Sequence, residues 1–293
     1  MLINYGSFAY FMYIILSLAL CVGLYFLFRK KSDFAKKLLV LSLASLNLLQ
    51  HLMKPIIYPQ HFGTGFSYLE SAYNMCAFLI IISPFVILFG TSLMRDFLTY
   101  LGTTAGMIAI IVPYWFIGQS AFQWEAYRFY LCHSLLFASS ILPCLLGLHR
   151  IKFRNFYKIG FVFFFALIMI LFNDIVFVAL GLYPETDIND LFASLSLINP
   201  CWCMHPPEGF GWLTNLISAL SPNVFLGNAE GKIYIPILWY AIPMYILITL
   251  LTFALGAIFD RDGFNAFISY LKNAFSKAKA FFKEKFKKEN KQP

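Results

Sequence analysis

Seven stretches of mostly apolar residues alternate with short polar segments along this chain. They cover residues 6–28, 36–58, 70–93, 97–118, 125–148, 157–183 and 233–259. A helix needs about 20 mostly apolar residues to cross the hydrocarbon core of a bilayer, and each stretch is long enough. The pattern predicts an all-α membrane protein, with a seven-helix transmembrane bundle over residues 1–260 and a separate tail over residues 261–293.

The composition supports an integral membrane protein. Charged residues make up 12% of the chain, against about a quarter in soluble domains, and 34 phenylalanines suit a lipid-facing surface. No positive charge precedes Arg29, so we expect the first apolar run to stay as a helix rather than be cleaved as a signal peptide. The chain has no nucleotide-binding glycine loop, EF-hand or HExxH motif, and we predict no cofactor. The net charge of +8 indicates a membrane surface as partner and no nucleic acid.

The basic residues are distributed unevenly between the two ends of the predicted bundle. If the segments between spans alternate sides, all of the 22 lysines and arginines lie on one side except Lys54, Arg128 and Lys232. Basic residues in short loops and flanks are retained in the cytoplasm. We therefore expect a multi-pass plasma-membrane protein with its amino terminus outside and its carboxyl terminus inside.

The tail has the pattern of an amphipathic helix with a basic face. Apolar residues recur at spacings of three and four from Phe264 to Phe286, and lysines fill most of the positions between them. Such a helix lies well on the anionic lipids of the inner leaflet. The alternative is a solvated basic tail that only enforces the topology.

The longest segment without a clear span, residues 184–232, is expected to cover the outer mouth of the bundle. It contains Cys201, Cys203 and His205 in a C-x-C-x-H arrangement. Nothing nearby completes a tetrahedral ligand set, so we predict no metal site. Several of the six cysteines lie inside predicted spans, so we expect no disulfide framework; the alternative is that an outer-loop cysteine pairs with another chain or loop.

Polar residues inside the spans are the candidates for function, because an unpaired polar group in hydrocarbon is costly. Helical spacing groups them on three faces, and the sixth span adds an adjacent pair: Asn47, Gln50, His51, Lys54 and Tyr58; Tyr130, His133, Ser140 and Cys144; Tyr73, Cys76 and Ser83; Asn173 and Asp174. Each type also has a purely structural explanation. A histidine can satisfy a backbone carbonyl, a cysteine can act as a small hydrophobe, Asn and Ser can join helices, and Lys54 can snorkel to the interface.

The depths of these residues favour a site in the outer half of the bilayer. Counted from the ends of their spans, Cys76 and His133 lie roughly 9 to 14 Å below the outer surface at 1.5 Å per residue. This depth matches the ester and headgroup linkages of lipids better than an ion path through the membrane.

The segments Ser71-Ala-Tyr-Asn-Met-Cys76 and Tyr130-Leu-Cys-His133-Ser134, with Phe172-Asn173 and Asn199, resemble the YwaF family of seven-helix bacterial membrane proteins. In that family a Leu-Pro-Leu-His-Leu-Cys stretch opens the third helix, and a histidine lies in the fifth. An animal relative is a cysteine-dependent acyltransferase that remodels ether phospholipids. A looser similarity extends to the androgen-induced-gene family of membrane hydrolases, which use threonine and histidine.

The resemblance implies that Cys76 accepts an acyl group and that His133 is its general base. The family histidine two residues before the cysteine is Asn74 here. In the resulting mechanism a thiolate attacks a lipid ester, a thioester forms, and a second lipid or water takes the acyl group. Residue type and depth suggest that Asn173 or Asn74 stabilises the oxyanion and that Lys54 or Arg128 holds a phosphate, and His51 and Asn199 complete the predicted substrate-binding set.

A different class of function fits the same polar residues. The cavity would then bind the cargo of a lipid or small-solute transporter, or belong to a membrane sensor whose basic tail reports inner-leaflet charge. A transporter would tolerate replacement of Cys76 by serine, whereas an enzyme would show selective labelling of one thiol. Removing Cys201 or Cys203 is expected to leave acyl-adduct formation intact.

Overall fold

The computed structural model describes residues 1–57, 70–182, 200–206, 211–227 and 234–289. This part of the chain forms helices and no β-strand. The predicted site residue Asn199, Tyr58 of the predicted second-span face, and the acidic residues Glu185, Asp187, Asp190 and Glu208 lie outside the described residues.

Twelve α-helices follow one another in the described residues. They are α1 (Phe8–Phe28), α2 (Asp33–Leu52), α3 (Lys54–Ile57), α4 (Met75–Phe89), α5 (Ser92–Phe97), α6 (Thr103–Ile111), α7 (Trp124–Leu145), α8 (Phe156–Ala179), α9 (Gly211–Leu220), α10 (Asn223–Leu226), α11 (Ala241–Phe259) and α12 (Arg261–Glu289). Four helices begin at side chains that accept a hydrogen bond from a first-turn amide: Ser7, Ser32, Asn74 and Thr91. Such N-caps satisfy amides that have no partner within the helix.

Five helical segments among the described residues are long and apolar enough to cross a membrane. They are Phe8–Phe28, Ser92–Phe116, Trp124–Leu145, Phe153–Ala179 and Leu238–Phe259. These coincide with five of the seven predicted spans, which supports a multi-pass protein embedded in the membrane.

The two remaining predicted spans correspond to α2 and α4. Helix α2 has 20 residues but carries Asp33, Lys36 and Lys37 in its first two turns. Helix α4 has 15 residues, which is about 22 Å at 1.5 Å per residue and shorter than a hydrocarbon core of about 30 Å. The total of seven crossings therefore stays a prediction.

Helix α7 lies at the centre of the bundle and packs against α1, α2 and α6. Gly106 permits the approach of α6, because a Cβ at that position would come within 2.9 Å of the Phe137 amide nitrogen and 3.0 Å of the His133 carbonyl oxygen. Helices α8 and α11 pair beside this group, and α2 also packs against α4.

A π-helical turn, Leu98–Gly102, joins α5 to α6 inside one apolar segment. All five of its residues are buried. Such turns are rare in α-helical segments and are frequent at functional sites.

Helix α12 begins in contact with the bundle. The ring of Phe153 lies 5.4 Å from the ring of Phe264 and 5.6 Å from that of Phe267 between centroids, and Arg150 Nη2 lies 3.1 Å from Asp262 Oδ2. The first two phenylalanines of the predicted membrane-binding face therefore contact the protein itself. Farther along, Tyr270 and Phe275 are exposed.

Candidate functional site

A non-helical segment, residues 70–74, leads into α4 from within the bundle. Glu70 and Ser71 are 2% and 7% exposed. Ser71 connects two other helices to this segment, because its carbonyl oxygen lies 3.2 Å from His51 Nε2 and its hydroxyl accepts a hydrogen bond from Asn173 Nδ2 at 2.9 Å. Irregular backbone at membrane depth is tolerated where protein surrounds it, and these contacts supply that protection.

Cys76 lies in the first turn of α4. The helix starts at Met75 because Asn74 adopts an extended conformation and its Oδ1 accepts a hydrogen bond from the Ala77 amide at 2.9 Å. The sequence placed the start of this span at residue 70, and the polar, non-helical residues 70–74 account for the difference. Cys76 is therefore next to the positive end of the helix dipole.

The start of α4 is deep in the bundle. Cys76 packs against the core cluster that contains Cys132. Along α7 the distance from Trp124 to Cys132 is about 12 Å at 1.5 Å per residue. His133 is the next residue of α7.

Two cations lie beside this segment. Lys54 is 3% exposed and its Nζ lies 5.1 Å from the centroid of the Tyr73 ring. This burial rules out the alternative in which Lys54 snorkels to the membrane surface. Arg128 acts electrostatically on His51, Lys54 and Tyr73, and Glu70 acts on Lys54.

His133 has a defined tautomer in its neutral form. Its Nδ1 lies 2.8 Å from the carbonyl oxygen of Phe129, and its ring packs on the Phe129 ring at 4.3 Å. Because a carbonyl can only accept, Nδ1 carries the hydrogen and Nε2 is the basic nitrogen. Arg128 acts electrostatically on His133 as well as on His51. The pairing of Cys76 with His133 stays a prediction.

Cys201 lies beside the start of α4, a contact that the sequence did not reveal. Its Sγ accepts a hydrogen bond from the Met75 amide at 3.2 Å, beside Cys76. Cys201 and Trp202 both have left-handed backbone, with φ of 51° and 59°, at a cost of roughly 1–2 kcal/mol each. Bonds from the Tyr240 hydroxyl to the Cys201 carbonyl and from Trp239 Nε1 to the Trp202 carbonyl hold this turn.

The three residues of the C-x-C-x-H arrangement have three different polar partners. Cys201 contacts Met75, Cys203 Sγ lies 3.7 Å from the Tyr240 hydroxyl, and His205 Nδ1 lies 2.9 Å from the Pro206 carbonyl oxygen. Burial raises the pKa of Cys203 to about 12 and also raises that of Cys201, so both remain thiols at neutral pH. Within the described residues no group of three His, Cys, Asp or Glu side chains is arranged to hold a metal ion.

A lateral cavity of about 240 Å³ lies between the segment that precedes α4 and helix α8. Its lining is apolar apart from Asn173, and it includes Ala72, Phe78, Met169 and Phe172. Met169 and Phe172 are exposed on the side of α8, so the cavity is open toward the space that lipid would occupy. Its size is close to the lower end of typical ligand pockets.

The polar face predicted for α7 is divided between different surroundings. Tyr130 stacks on Tyr13 of α1 with ring centroids 4.0 Å apart, and Cys144 Sγ lies 3.8 Å from the Thr99 hydroxyl. A Cβ on Gly102 would lie 2.1 Å from Ser140 Oγ, which places Ser140 against the π-helical turn. The shared helical face thus does not correspond to one cavity, because its outer part contacts α1 and its inner part contacts the π-helical turn.

A family model described as the TMEM164 family matches residues 5–206, which is more than half of the chain. The matched range contains Cys76, His133, Asn173 and Cys201. Neither a curated protein nor a solved structure matches the chain.

Proposed function

Because the chain belongs to the TMEM164 family of membrane proteins, we propose that it is a membrane lipid acyltransferase or lipid hydrolase that forms a thioester on Cys76. One observation carries the proposal: Cys76 lies in the first turn of α4, three residues after Tyr73, whose ring is 5.1 Å from the buried Lys54 Nζ. The resemblance of residues 71–76 and 130–134 to the YwaF family, which has a cysteine-dependent acyltransferase among its animal relatives, supports the same reaction. The relationship to the YwaF family remains part of this proposal.

The first step forms the thioester. Nε2 of His133 takes the proton of the Cys76 thiol, and the thiolate attacks the carbonyl carbon of a lipid ester. The ester C–O bond breaks, the lysolipid oxygen receives the proton from His133, and the acyl group stays on Cys76. In the second step the hydroxyl of another lipid, or water, attacks the thioester and the thiol is restored.

The backbone amide of Cys76 is the proposed donor to the oxyanion. Within the first turn of α4, the Met75 amide bonds to Cys201 Sγ and the Ala77 amide bonds to Asn74 Oδ1. The Cys76 amide has no such bond among the described residues, and an amide at a helix start is a strong oxyanion donor. Both hydrogens of Asn173 Nδ2 are already donated, to Ser71 Oγ and Asp174 Oδ1. Asn173 is therefore assigned a positioning role, and Asn74 can donate from Nδ2 while Oδ1 caps the helix.

Substrate binding is assigned to the groups around Cys76. The lateral cavity beside Phe78 and Phe172 receives an acyl chain, and Lys54 and Arg128 attract the phosphate of the headgroup. His51 keeps Ser71 in place through its 3.2 Å contact with the carbonyl oxygen. Asn199, the other predicted substrate-binding residue, lies outside the described residues.

The test incubates the purified full-length protein with phospholipids that carry a labelled acyl chain. We expect a covalent adduct that hydroxylamine releases, and we expect Cys76→Ala to abolish it. His133→Ala should slow adduct formation by about 10² to 10⁴, the usual contribution of a general base. His51→Ala in parallel shows whether the second histidine near the segment has a similar effect.

Cys21→Ala is the matched control, because Cys21 is a buried thiol in α1 and far along the chain from the site. It should leave the adduct unchanged. An adduct that persists in Cys76→Ala would contradict the mechanism. If Cys76→Ser moves lipid across vesicle membranes as well as the wild type does, and no adduct forms in either protein, the transporter function is favoured instead.

A further inference from the structure

A second cavity lies near the other end of the bundle, among α2, α4, the π-helical turn and α7. It has a volume of about 370 Å³, within the range of ligand pockets. Residues of five helical elements line it, including Leu41 of α2, Ile87 of α4, Arg95 of α5, Leu98 of the turn and Pro143 of α7. This is the end where the loops 29–32 and 146–155 place six basic residues: Arg29, Lys30, Lys31, Arg150, Lys152 and Arg154.

The wall of the cavity is apolar along most of its length and basic in two places. Lys37 and Arg95 line it, and among the described residues neither makes an ion pair. The Nε atom of Arg95 is buried and has no hydrogen-bond partner in the described part of the chain. His149 also lines the cavity, with its Nε2 2.7 Å from Asp96 Oδ1. The carboxylate of Asp96 accepts hydrogen bonds from His149 and Asn155, while Lys37 and Arg95 remain to attract an anion.

A buried hydroxyl provides an independent sign of a ligand. Ser140 lines the cavity, is 1% exposed, and its Oγ has no hydrogen-bond partner among the described residues. A buried hydroxyl without a partner costs roughly 1–3 kcal/mol, so a ligand oxygen at this position would remove a penalty. The adjoining π-helical turn supplies Leu98 and Thr99 to the same wall.

The flank of the cavity faces the place where lipid would lie. Phe34, Leu38 and Leu88 line it and are 75%, 53% and 49% exposed. A ligand with an acidic head and a long apolar chain can enter between α2 and α4 without crossing water. An amphiphile therefore matches the arrangement of cations, hydroxyl and apolar wall better than a small soluble anion does.

We propose that this cavity binds an anionic glycerophospholipid, with its phosphate at Lys37 and Arg95 and an acyl chain along Leu41, Ile87 and Leu98. The occupied cavity joins α2, α4 and α7, so the lipid stabilises the end of the bundle opposite to Cys76. The proposal does not depend on thioester chemistry, and Cys76→Ala should bind the lipid normally.

The test uses the full-length protein in phosphatidylcholine nanodiscs and phosphatidylglycerol with a photoactivatable group in its acyl chain. We expect the cross-links to map to peptides over residues 34–41 and 87–99. Unlabelled phosphatidylglycerol should compete, whereas inorganic phosphate and extra phosphatidylcholine should not. Equal competition by a free fatty acid would show that the cavity binds a carboxylate amphiphile and not a phospholipid. Labelling spread evenly over the lipid-facing helices would show that the cavity is not a specific lipid site.

Variants of the lining separate binding from folding. Arg95→Gln should reduce labelling about tenfold, the effect of losing a hydrogen bond to a charged group. Lys30→Gln removes the same charge from an exposed loop position and should leave labelling unchanged. Leu41→Trp should block the cavity, which gives a second measurement if Arg95→Gln fails to fold. Ser140→Ala should weaken labelling without lowering the thermal stability of the lipid-free protein, and unchanged labelling in all three lining variants would refute the proposal.

Discussion

At the level of single residues, the six cysteines have very different surroundings although they are chemically identical. Cys76 and Cys201 meet at the first turn of α4, near Cys132 of α7. Cys144 and Cys203 are next to hydroxyls of Thr99 and Tyr240. The sequence could indicate Cys76 through its motif, but the contact between Met75 and Cys201 joins positions 126 apart and leaves no local pattern.

The helix cap at Asn74 gives the first prediction. Asn74→Ala should lower the free energy of unfolding by about 1 kcal/mol, because the Ala77 amide loses its acceptor. Asn74→Asp keeps an acceptor at this position and should be close to wild type in stability. Thermal unfolding in detergent measures the stability of both variants. An equal loss of stability in Asn74→Ala and Asn74→Asp would show that loss of the helix cap is not the cause.

Asp96 gives the second prediction. It is fully buried, and its carboxylate accepts hydrogen bonds from Asn155 Nδ2 at 2.6 Å and the Lys152 amide at 3.4 Å in addition to His149. Asp96→Ala should cost about 3–5 kcal/mol, because the buried donors lose their common acceptor. Chemical or thermal unfolding measures the loss.

Asp262→Ala is the control for Asp96→Ala. The side chain of Asp262 is 88% exposed and pairs with an exposed Arg150. Exposed pairs contribute about 0–1 kcal/mol, so this variant should be nearly neutral. Similar effects of the two substitutions would contradict the importance of burial at Asp96.

At the level of helices, the periodic apolar pattern predicted where most elements lie but not where they end. Helix α4 is shorter than its apolar run because Asn74 caps it and Ser71 draws the preceding segment toward His51 and Asn173. The π-helical turn at Leu98–Gly102 had no sequence signal, since its residues fit an ordinary helix equally well. Polar residues inside the predicted spans were the clearest signs of a buried polar site, and Asn47, His51 and Asp174 are buried.

The close approach of α6 to α7 gives the third prediction. Gly106→Ala should destabilise the protein by about 1–3 kcal/mol, because the new Cβ would meet backbone atoms of Phe137 and His133 that cannot move aside. Since the contact includes the His133 backbone, adduct formation should also slow. Gly23→Ala is the matched control, because a Cβ at Gly23 meets no atom within 4 Å.

We expect Gly23→Ala to be neutral or to stabilise by up to about 1 kcal/mol, since alanine favours helix more than glycine does. Thermal unfolding and the rate of labelling are measured on the same preparations. Equal destabilisation by Gly106→Ala and Gly23→Ala would contradict the role of close packing between α6 and α7.

The tail helix gives the fourth prediction. Because Phe264 and Phe267 pack against Phe153, we propose that the part of α12 beyond them binds anionic lipids. Each lysine near such a surface contributes about 1 kcal/mol, so binding of the tail should weaken as salt rises. Replacing Lys277 and Lys279 by glutamine in the full-length protein should make the tail more sensitive to protease on anionic nanodiscs. Equal protease sensitivity of the wild-type tail on anionic and neutral nanodiscs would contradict the proposal.

At the level of the whole molecule, composition and periodicity were sufficient to predict a helical membrane protein. Both depend on whether lipid or water surrounds the chain and not on which helices contact one another. The arrangement of helices around α7 depends on pairwise packing between distant segments, which one sequence does not display. The structure also changes the meaning of two exceptions to the charge asymmetry. Lys54 and Arg128 belong to the buried site around Tyr73, so they are not ordinary loop charges.

This reassignment leaves Lys232 as the one basic residue that opposes the proposed orientation, and it leads to the last prediction. If the basic loops are retained in the cytoplasm, we expect the amino terminus outside and the carboxyl tail inside. In a background without other reactive thiols, a cysteine in place of Asp33 should resist an impermeant thiol reagent on intact cells, and one in place of Ile188 should react. Permeabilised cells provide the control, in which the cysteine at position 33 should become reactive. The reverse pattern would place Cys76 in the inner half of the bilayer, so the lipid substrate would then have to come from the cytoplasmic leaflet.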